Sequence, residues 1–373
     1  MVHVSEDFCW CDESELAGVS LPERCRRLHL VRSAGVAATE TSVVNTLREV
    51  RGIDQVEELT IGPRSSLISL GVAALLPRLS RLTIDNPRFV DLAGIKGIQH
   101  LKALGVRQRS PRCSLSPIRG MSLEHLELQF TNAAELDTLA HIKRADFLCL
   151  GGYKDASLER IRHLKPTRLF LSGGTITSLA SLTWDLRALS VFGNKSLSIV
   201  GPVKAKEVHL YRCYSALELV DMQTEELDLG SCRRLKLSTV ARVSGLVYLQ
   251  LESLAPAAVT ELQVPRTVKK LGIRSCRSVD SLRFVEGLGE LRELIFEATR
   301  LTARDLTPLR DCLSLRSLFA YNLTPLQLEK VTRDNPSLHA DNGIDFFFRG
   351  ERVAENLRAT SQENANKPMH ATS

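Results

Sequence analysis

Residues 79–86 read Leu79-Ser80-Arg81-Leu82-Thr83-Ile84-Asp85-Asn86, and the spacing of their aliphatics decides the fold. The pattern Leu-x-x-Leu-x-Leu returns about every 22 residues until almost the end of the chain. Aligned on the second leucine, anchors fall at Leu59, Leu82, Leu104, Leu126, Leu148, Leu169, Leu189, Val208, Leu227, Leu249, Leu271, Leu294 and Leu318. Two positions on stand Ile61, Ile84, Val106, Leu128, Leu150, Leu171, Val191, Leu210, Leu229, Leu251, Ile273 and Phe296, with Ala320 in the last repeat. A fixed period of this length marks a solenoid of short strands and returns, in which no unit buries its aliphatics without a neighbour. Each strand is extended, so its paired aliphatics enter the core and the residue between them points out.

Composition agrees with stacked aliphatic layers. Hydrophobic residues make up 43% of the 373, but aromatics only 5%. A solenoid grows by adding neighbours, so this length fits one elongated domain. The net charge of +6 comes from 49 basic and 43 acidic residues that alternate within most repeats, which reads as a mixed solvated surface. The cysteines number nine, an odd count. Cys213, Cys232 and Cys276 each follow a core aliphatic by three residues, as does Asn194, so they read as buried ladder positions. Cys9-Trp10-Cys11 has no second close pair to make a zinc site. Unpaired thiols point to a reducing compartment. The amino terminus lacks a basic start followed by an apolar run, and the longest apolar stretch, Ile68 to Leu76, is far below the roughly 20 residues of a membrane span. The expectation is a cytoplasmic, non-membrane protein, monomeric by itself.

Residues 1–55 are expected to hold an N-terminal cap and a first degenerate repeat, with Leu28-His29-Leu30 as its strand. Residues 41–52 predict an amphipathic helix, with Val43, Val44, Leu47 and Val50 on one face and Gly52 past its end. Later returns predict helices capped by Asn132 and Ser157, and one with Pro325 at its first position. Between Leu189 and Leu227 the period falls to 19, and Gly193, Gly201 and Pro202 predict turns or 3₁₀ segments there. The run Phe346-Phe347-Phe348 predicts a closing lid within a C-terminal cap at 341–358, and residues 359–373 a disordered tail.

The run Leu82-x-Ile84-x-Asn86, followed by Phe89, Leu92, Ile95 and Ile98, resembles the leucine-rich-repeat family. It is most similar to the short repeats of internalins and of phosphatase-regulatory proteins. The likeness covers about residues 56–340, some 13 repeats. It implies an α/β solenoid, a horseshoe with a concave parallel β-sheet and a convex side of short helices, 3₁₀ turns and loops. It also implies that the concave face binds another protein. The chain departs from the family ladder at Tyr153, Gly174, Cys213, Cys232, Leu254 and Thr299.

No phosphate loop, His-Glu-x-x-His or Gly-x-Ser-x-Gly motif occurs, and no cofactor or metal site is indicated; His125, His163 and His209 have no ligand partner in sequence. The informative residues are those that alternation turns onto the sheet face: Phe170, Phe192, His209, Tyr211, Asp228 and Tyr248, flanked by Arg168 and Arg187. Phe170, Phe192 and Tyr211 lie in three successive repeats, and exposed rings on adjacent strands mark partner sites. Lys269, Lys270, Arg274 and Arg292 form a basic cluster further on. The first expectation is a non-enzymatic scaffold or adaptor that binds a protein partner. The second is a nucleic-acid or ribonucleoprotein component using that basic cluster. A ubiquitin-ligase substrate receptor is a third, because Leu21-Pro22-Glu23 resembles the opening of an F-box, although too few residues precede the first strand to hold one.

Overall fold

In the computed structural model, residues 3–341 are described except 6, 33–37, 130–134, 154–157, 233, 255–260, 277–278, 280, 298–305, 322 and 335. The Phe346-Phe347-Phe348 lid, the tail, Thr299 and the caps expected at Asn132 and Ser157 lie outside the described residues. The chain divides into two compact units, residues 1–224 and 225–373.

In the first unit, strands in parallel order follow the repeat. They are β1 (Phe8–Asp12), β2 (Arg27–Val31), β3 (Glu58–Ile61), β4 (Arg81–Asp85) and β5 (Ala103–Gln108), then β6 (Ser122–Gln129), β7 (Arg144–Gly151), β8 (Arg168–Ser172), β9 (Asp185–Phe192) and β10 (Val203–Tyr211). Register places like on like: Leu59 pairs with Leu82, Leu82 with Leu104, Leu148 with Leu169 and Leu189 with Val208. Those side chains and their companions two positions on are buried, so each layer's apolar area is covered by the next. β1 lies in the segment assigned to the N-terminal cap. It pairs in parallel with β2, and Cys9 and Cys11 take the two core places that aliphatics take elsewhere.

Several strand starts share one device. A single carbonyl accepts two successive amides from the next repeat: Arg26 O from Glu57 and Glu58, Glu57 O from Ser80 and Arg81, Ser80 O from Lys102 and Ala103, and Thr167 O from Arg187 and Ala188. The second unit repeats it, with Val247 O accepting from Lys269 and Lys270. Because both amides point the same way, the two residues that carry them stand together ahead of the first core aliphatic.

The helix α1 (Glu40–Glu49) forms where the 41–52 periodicity predicts one, with Val43, Val44 and Leu47 buried. Its cap is Thr39, paired with Ser42 in a capping box, so the helix starts slightly earlier than the apolar pattern indicates. Among the described residues, the return after β6 holds the four-residue α2 (Leu136–Leu139), and the return expected to be helical near 157–164 shows a 3₁₀ turn at Glu159–Ile161. Three or four apolar residues fill the layer there, and a full helix would need more chain than the period leaves. Between Leu189 and Leu227 the returns are neither turns nor 3₁₀ segments throughout: Ile199–Val200 and Glu218–Leu219 pair as a second, two-stranded parallel sheet. At a period of 19 an extended return spans the layer with the fewest residues.

Ladder positions close the turn after each strand. Asn86 is fully buried; its amide donates to Ser65 O and Leu67 O, both at 2.9 Å, and its carbonyl accepts from Arg88 N at 3.0 Å. Asn194 accepts from Ser196 N and Leu197 N. Cys213 and Cys232 stand at the same position but donate to Tyr211 O and Gly230 O within their own repeat, and Cys276 is buried. Gly174 stands at φ +81°, where a Cβ would collide with the Tyr153 carbonyl. Carboxylates bind the long turn at 65–69: Glu13 accepts from Ser66 N at 2.9 and 2.8 Å and from the Ser65 hydroxyl, and Glu40 from Ile68 N and Ser69 N.

The second unit contains β11 (Glu226–Gly230), β12 (Tyr248–Glu252), β13 (Lys270–Arg274), β14 (Glu293–Glu297), β15 (Ser317–Tyr321) and β16 (His339–Asp341), each parallel to the next. Its α3 (Pro325–Asp334) begins at Pro325, as the sequence predicts. Among the described residues no helix is long and apolar enough to cross a membrane.

Asn86→Ala should lower the unfolding free energy by about 2–3 kcal/mol, because two buried carbonyls lose their donor. Urea denaturation of the variant beside wild type measures this, and an unchanged midpoint would remove the ladder role.

Candidate partner-binding face

Alternation turns one residue of each strand away from the core between its two aliphatics. In the first unit register aligns Glu127, Cys149, Phe170, Ser190 and His209 across β6 to β10. One position ahead of the anchors stands a parallel row, His125, Phe147, Arg168, Ala188 and Glu207. Large and small side chains alternate from strand to strand. On β9 Ala188 and Ser190 are small, and on β7 Cys149 and Gly151 are small, while β6, β8 and β10 carry longer groups. The sheet face is therefore corrugated, and two hollows result.

The first hollow, about 320 Å³, is floored by Ala188 and Ser190 and walled by Phe147, Arg168, Phe170, Arg187, Glu207 and His209. The second, about 220 Å³, lies over Cys149 and Gly151 between Arg107, Glu127 and Gln129 on one side and Phe170 and Ser172 on the other. Phe170, half-buried, lines both and forms the ridge between them. Gln129 lies over Gly151, whose missing Cβ leaves the space for its carboxamide. Arg107 holds Glu127 at 2.9 Å.

Of the residues singled out in the sequence, Arg168, Phe170, Arg187 and His209 thus meet in one hollow. Phe192 and Tyr211 face one another two positions further along β9 and β10, and Phe192 is 41% exposed with the Arg212 guanidinium 5.3 Å from its ring centre. The three rings do not form a single row. Phe170 pairs with Ser190, and Phe192 with Ser172, so a serine stands beside each.

Sequence reasoning missed Phe147, His125 and Glu207, although they occupy the position ahead of each anchor and could have been found by the same alignment. His125 stacks on Phe147 with ring centres 4.4 Å apart and planes 16° from parallel. Burial lowers the His125 pKa below the usual histidine value, and it does the same at His29 on β2. Cys149 is the half-exposed thiol among nine unbridged cysteines, and burial pushes its pKa up to about 12.

In the second unit Tyr248 donates from its hydroxyl to Gln250 Oε1 at 3.0 Å, and burial raises its pKa. Gln250 is buried over Gly272, and half-buried Asp228 stands opposite it in the ladder. The Lys270 ammonium lies 5.3 Å from the Tyr248 ring centre and 2.9 Å from Glu293, while Lys269 is 3.8 Å from Glu290. Arg274 is half-buried opposite Glu252, and Arg292 is exposed. Two cations of the basic cluster are therefore matched by carboxylates. Among the described residues no group of three or more His, Cys, Asp or Glu is arranged to hold a metal ion.

No protein-family model and no curated protein matches the chain. Solved structures do. A chain of the Toll–Spatzle complex of Drosophila superposes with a TM-score of 0.54 at 14% identity, over 90% of this chain and 53% of that one. This chain thus spans about half the length of that relative. An internalin of Listeria monocytogenes matches at 16% identity and a TM-score of 0.46, over 78% of this chain and 87% of its own. A leucine-rich-repeat protein of Leptospira interrogans matches at 15% identity and a TM-score of 0.40, over 88% and 97%. The fold is the α/β solenoid of leucine-rich-repeat proteins.

Two measurements probe the face. Maleimide labelling followed by peptide mapping should find Cys149 modified before the other cysteines. Its rate should climb about tenfold per pH unit in the alkaline range, since the thiolate is the nucleophile; equal labelling of the buried thiols would refute the assignment. His29 and His125 resist protonation in the folded state, so the unfolded chain binds more protons once pH drops below about 6.5. Stability should fall with pH across that window, and His125→Phe should reduce the slope of the urea midpoint against pH.

Proposed function

We propose that this leucine-rich-repeat chain is a non-enzymatic scaffold or adaptor that binds a protein partner on the sheet face of its first unit. The observation that carries the reading is the Phe170 ridge between two open hollows, with the Phe192 and Tyr211 rings close by on the same face. Rings presented this way offer large contact area at small entropic cost. The shared fold adds support of a general kind, because the relative from Drosophila is part of a protein complex. Unbridged thiols support a reducing, cytoplasmic setting, and residues 56–340 are taken as the repeat region. A nucleic-acid partner draws less support, since Lys269 and Lys270 already hold Glu290 and Glu293.

The test is quantitative affinity capture from native cells with wild type, with Phe170, Phe192 and Tyr211 all changed to Ala, and with Lys96→Glu as a control on a return segment. The triple variant should lose a specific protein at least tenfold while keeping its melting temperature within a few degrees, because all three rings are partly exposed. If the triple variant captures the same proteins in the same amounts, the face is not the binding surface.

A further inference from the structure

Charge matching is the rule along the strands of the first unit. Arg27 holds Asp7, Arg81 holds Glu58 at 3.5 Å, Arg107 holds Glu127 at 2.9 Å, Arg144 holds Asp146 at 2.7 Å and Lys204 holds Asp185 at 2.6 Å. The rule breaks at Arg168 on β8 and Arg187 on β9. Among the described residues Arg168 and Arg187 form no ion pair, and both are exposed at the rim of the larger hollow. The reason lies in the register. Arg168 pairs with Phe147 on one side and Ala188 on the other, so no carboxylate stands directly beside it, and the hollow's own acid, Glu207, pairs with Ala188 and forms no ion pair with either arginine.

From this we infer that the hollow between Phe170 and His209 receives an acidic side chain, or a chain-terminal carboxylate, of an extended peptide segment of the partner. The inference rests on the protein-binding reading of the same face. Each guanidinium carries a fork of N–H donors that can bind a carboxylate in bidentate fashion, and both arginines line this hollow. Flanking strands stand roughly 9–10 Å apart, twice the spacing of neighbouring strands, which admits one extended chain. Phe147 and Phe170 wall the hollow on the side nearer β7, so an apolar residue next to the acid has rings to pack on. Ser190 and His209 add polar groups within reach of a peptide backbone. A polyphosphate chain fits worse: Glu207 lines this hollow and Glu127 the next, and a repeated anion laid across both would meet them.

The experiment pans a random peptide library on the full chain. Enriched peptides are then titrated against wild type, Phe170→Ala, the double variant Arg168→Glu/Arg187→Glu, and Lys96→Glu. The expected result is enrichment of Asp, Glu or a free C-terminal carboxylate beside an apolar residue. Affinity should fall at least tenfold in the charge-reversed variant and be restored by peptides in which Lys replaces the acid, with Lys96→Glu unchanged. Peptides that depend on Phe170 but carry no acid, or that bind the charge-reversed variant equally well, overturn this inference and leave the protein-binding reading standing. Failure to enrich any peptide sensitive to Phe170→Ala counts against both. A labelled single-stranded RNA that binds tightly through Arg168 and Arg187, and displaces the peptides, would replace the peptide with a polyanion. Circular dichroism of each variant separates loss of a contact from loss of the fold.

Discussion

Everything in this molecule depends on one layer being covered by the next. A pair of aliphatics such as Leu82 and Ile84 cannot be hidden by its own repeat, which is a single strand and a short return. Burying both pairs of adjoining layers removes apolar area from water on two sides at once, at roughly 25 cal/mol per Å². Parallel pairing in strict register is what brings leucine over leucine. Where a strand start shares one carbonyl, two amides converging on one oxygen oppose a slip by one residue.

The same register decides what the outside looks like. Once the core positions are set, every intervening residue is ranked in rows that run across the strands, and the chemistry of a row is the chemistry of one alignment column. Several exposed positions pair lysine or arginine with a carboxylate, as Arg81 with Glu58 and Lys204 with Asp185. Where small residues fall on alternate strands, the face becomes corrugated, and where neither adjoining strand places an acid in register, as beside Arg168, a cation is left to solvent. Neither feature requires any departure from the repeat. Both arise from residues the fold does not need.

This division explains what could be read from the sequence. Leu59, Leu82, Leu104 and their successors announced the strands because burial restricts their identity, and α1 and α3 were visible for the same reason, although the Thr39 cap of α1 lies ahead of the span the pattern marked. β1 escaped because Cys9 and Cys11 stand where aliphatics were sought. The return helix expected near 157–164 reduced to a 3₁₀ turn, and the 19-residue repeats paired as strands, because local propensity says little about how many residues a layer has room for. At the site, Phe170, Phe192 and Tyr211 could be assigned to the outer face from alternation alone. Their lateral neighbours could not, because whether Phe170 adjoins Phe192 or Ser190 is a matter of register between repeats of unequal length.

The Glu13 carboxylate reaches a turn more than fifty residues downstream, where it satisfies the amide of Ser66 and the hydroxyl of Ser65 in a buried setting. The opening segment therefore acts as a ligand for the third and fourth strands as well as a cover for the second. Shortened versions of the chain that begin at the first leucine-type strand, near Leu28, would take the Glu13 acceptor away from those polar groups. Where the chain may be cut is thus set by a side chain outside the leucine pattern, which counting repeats does not reveal.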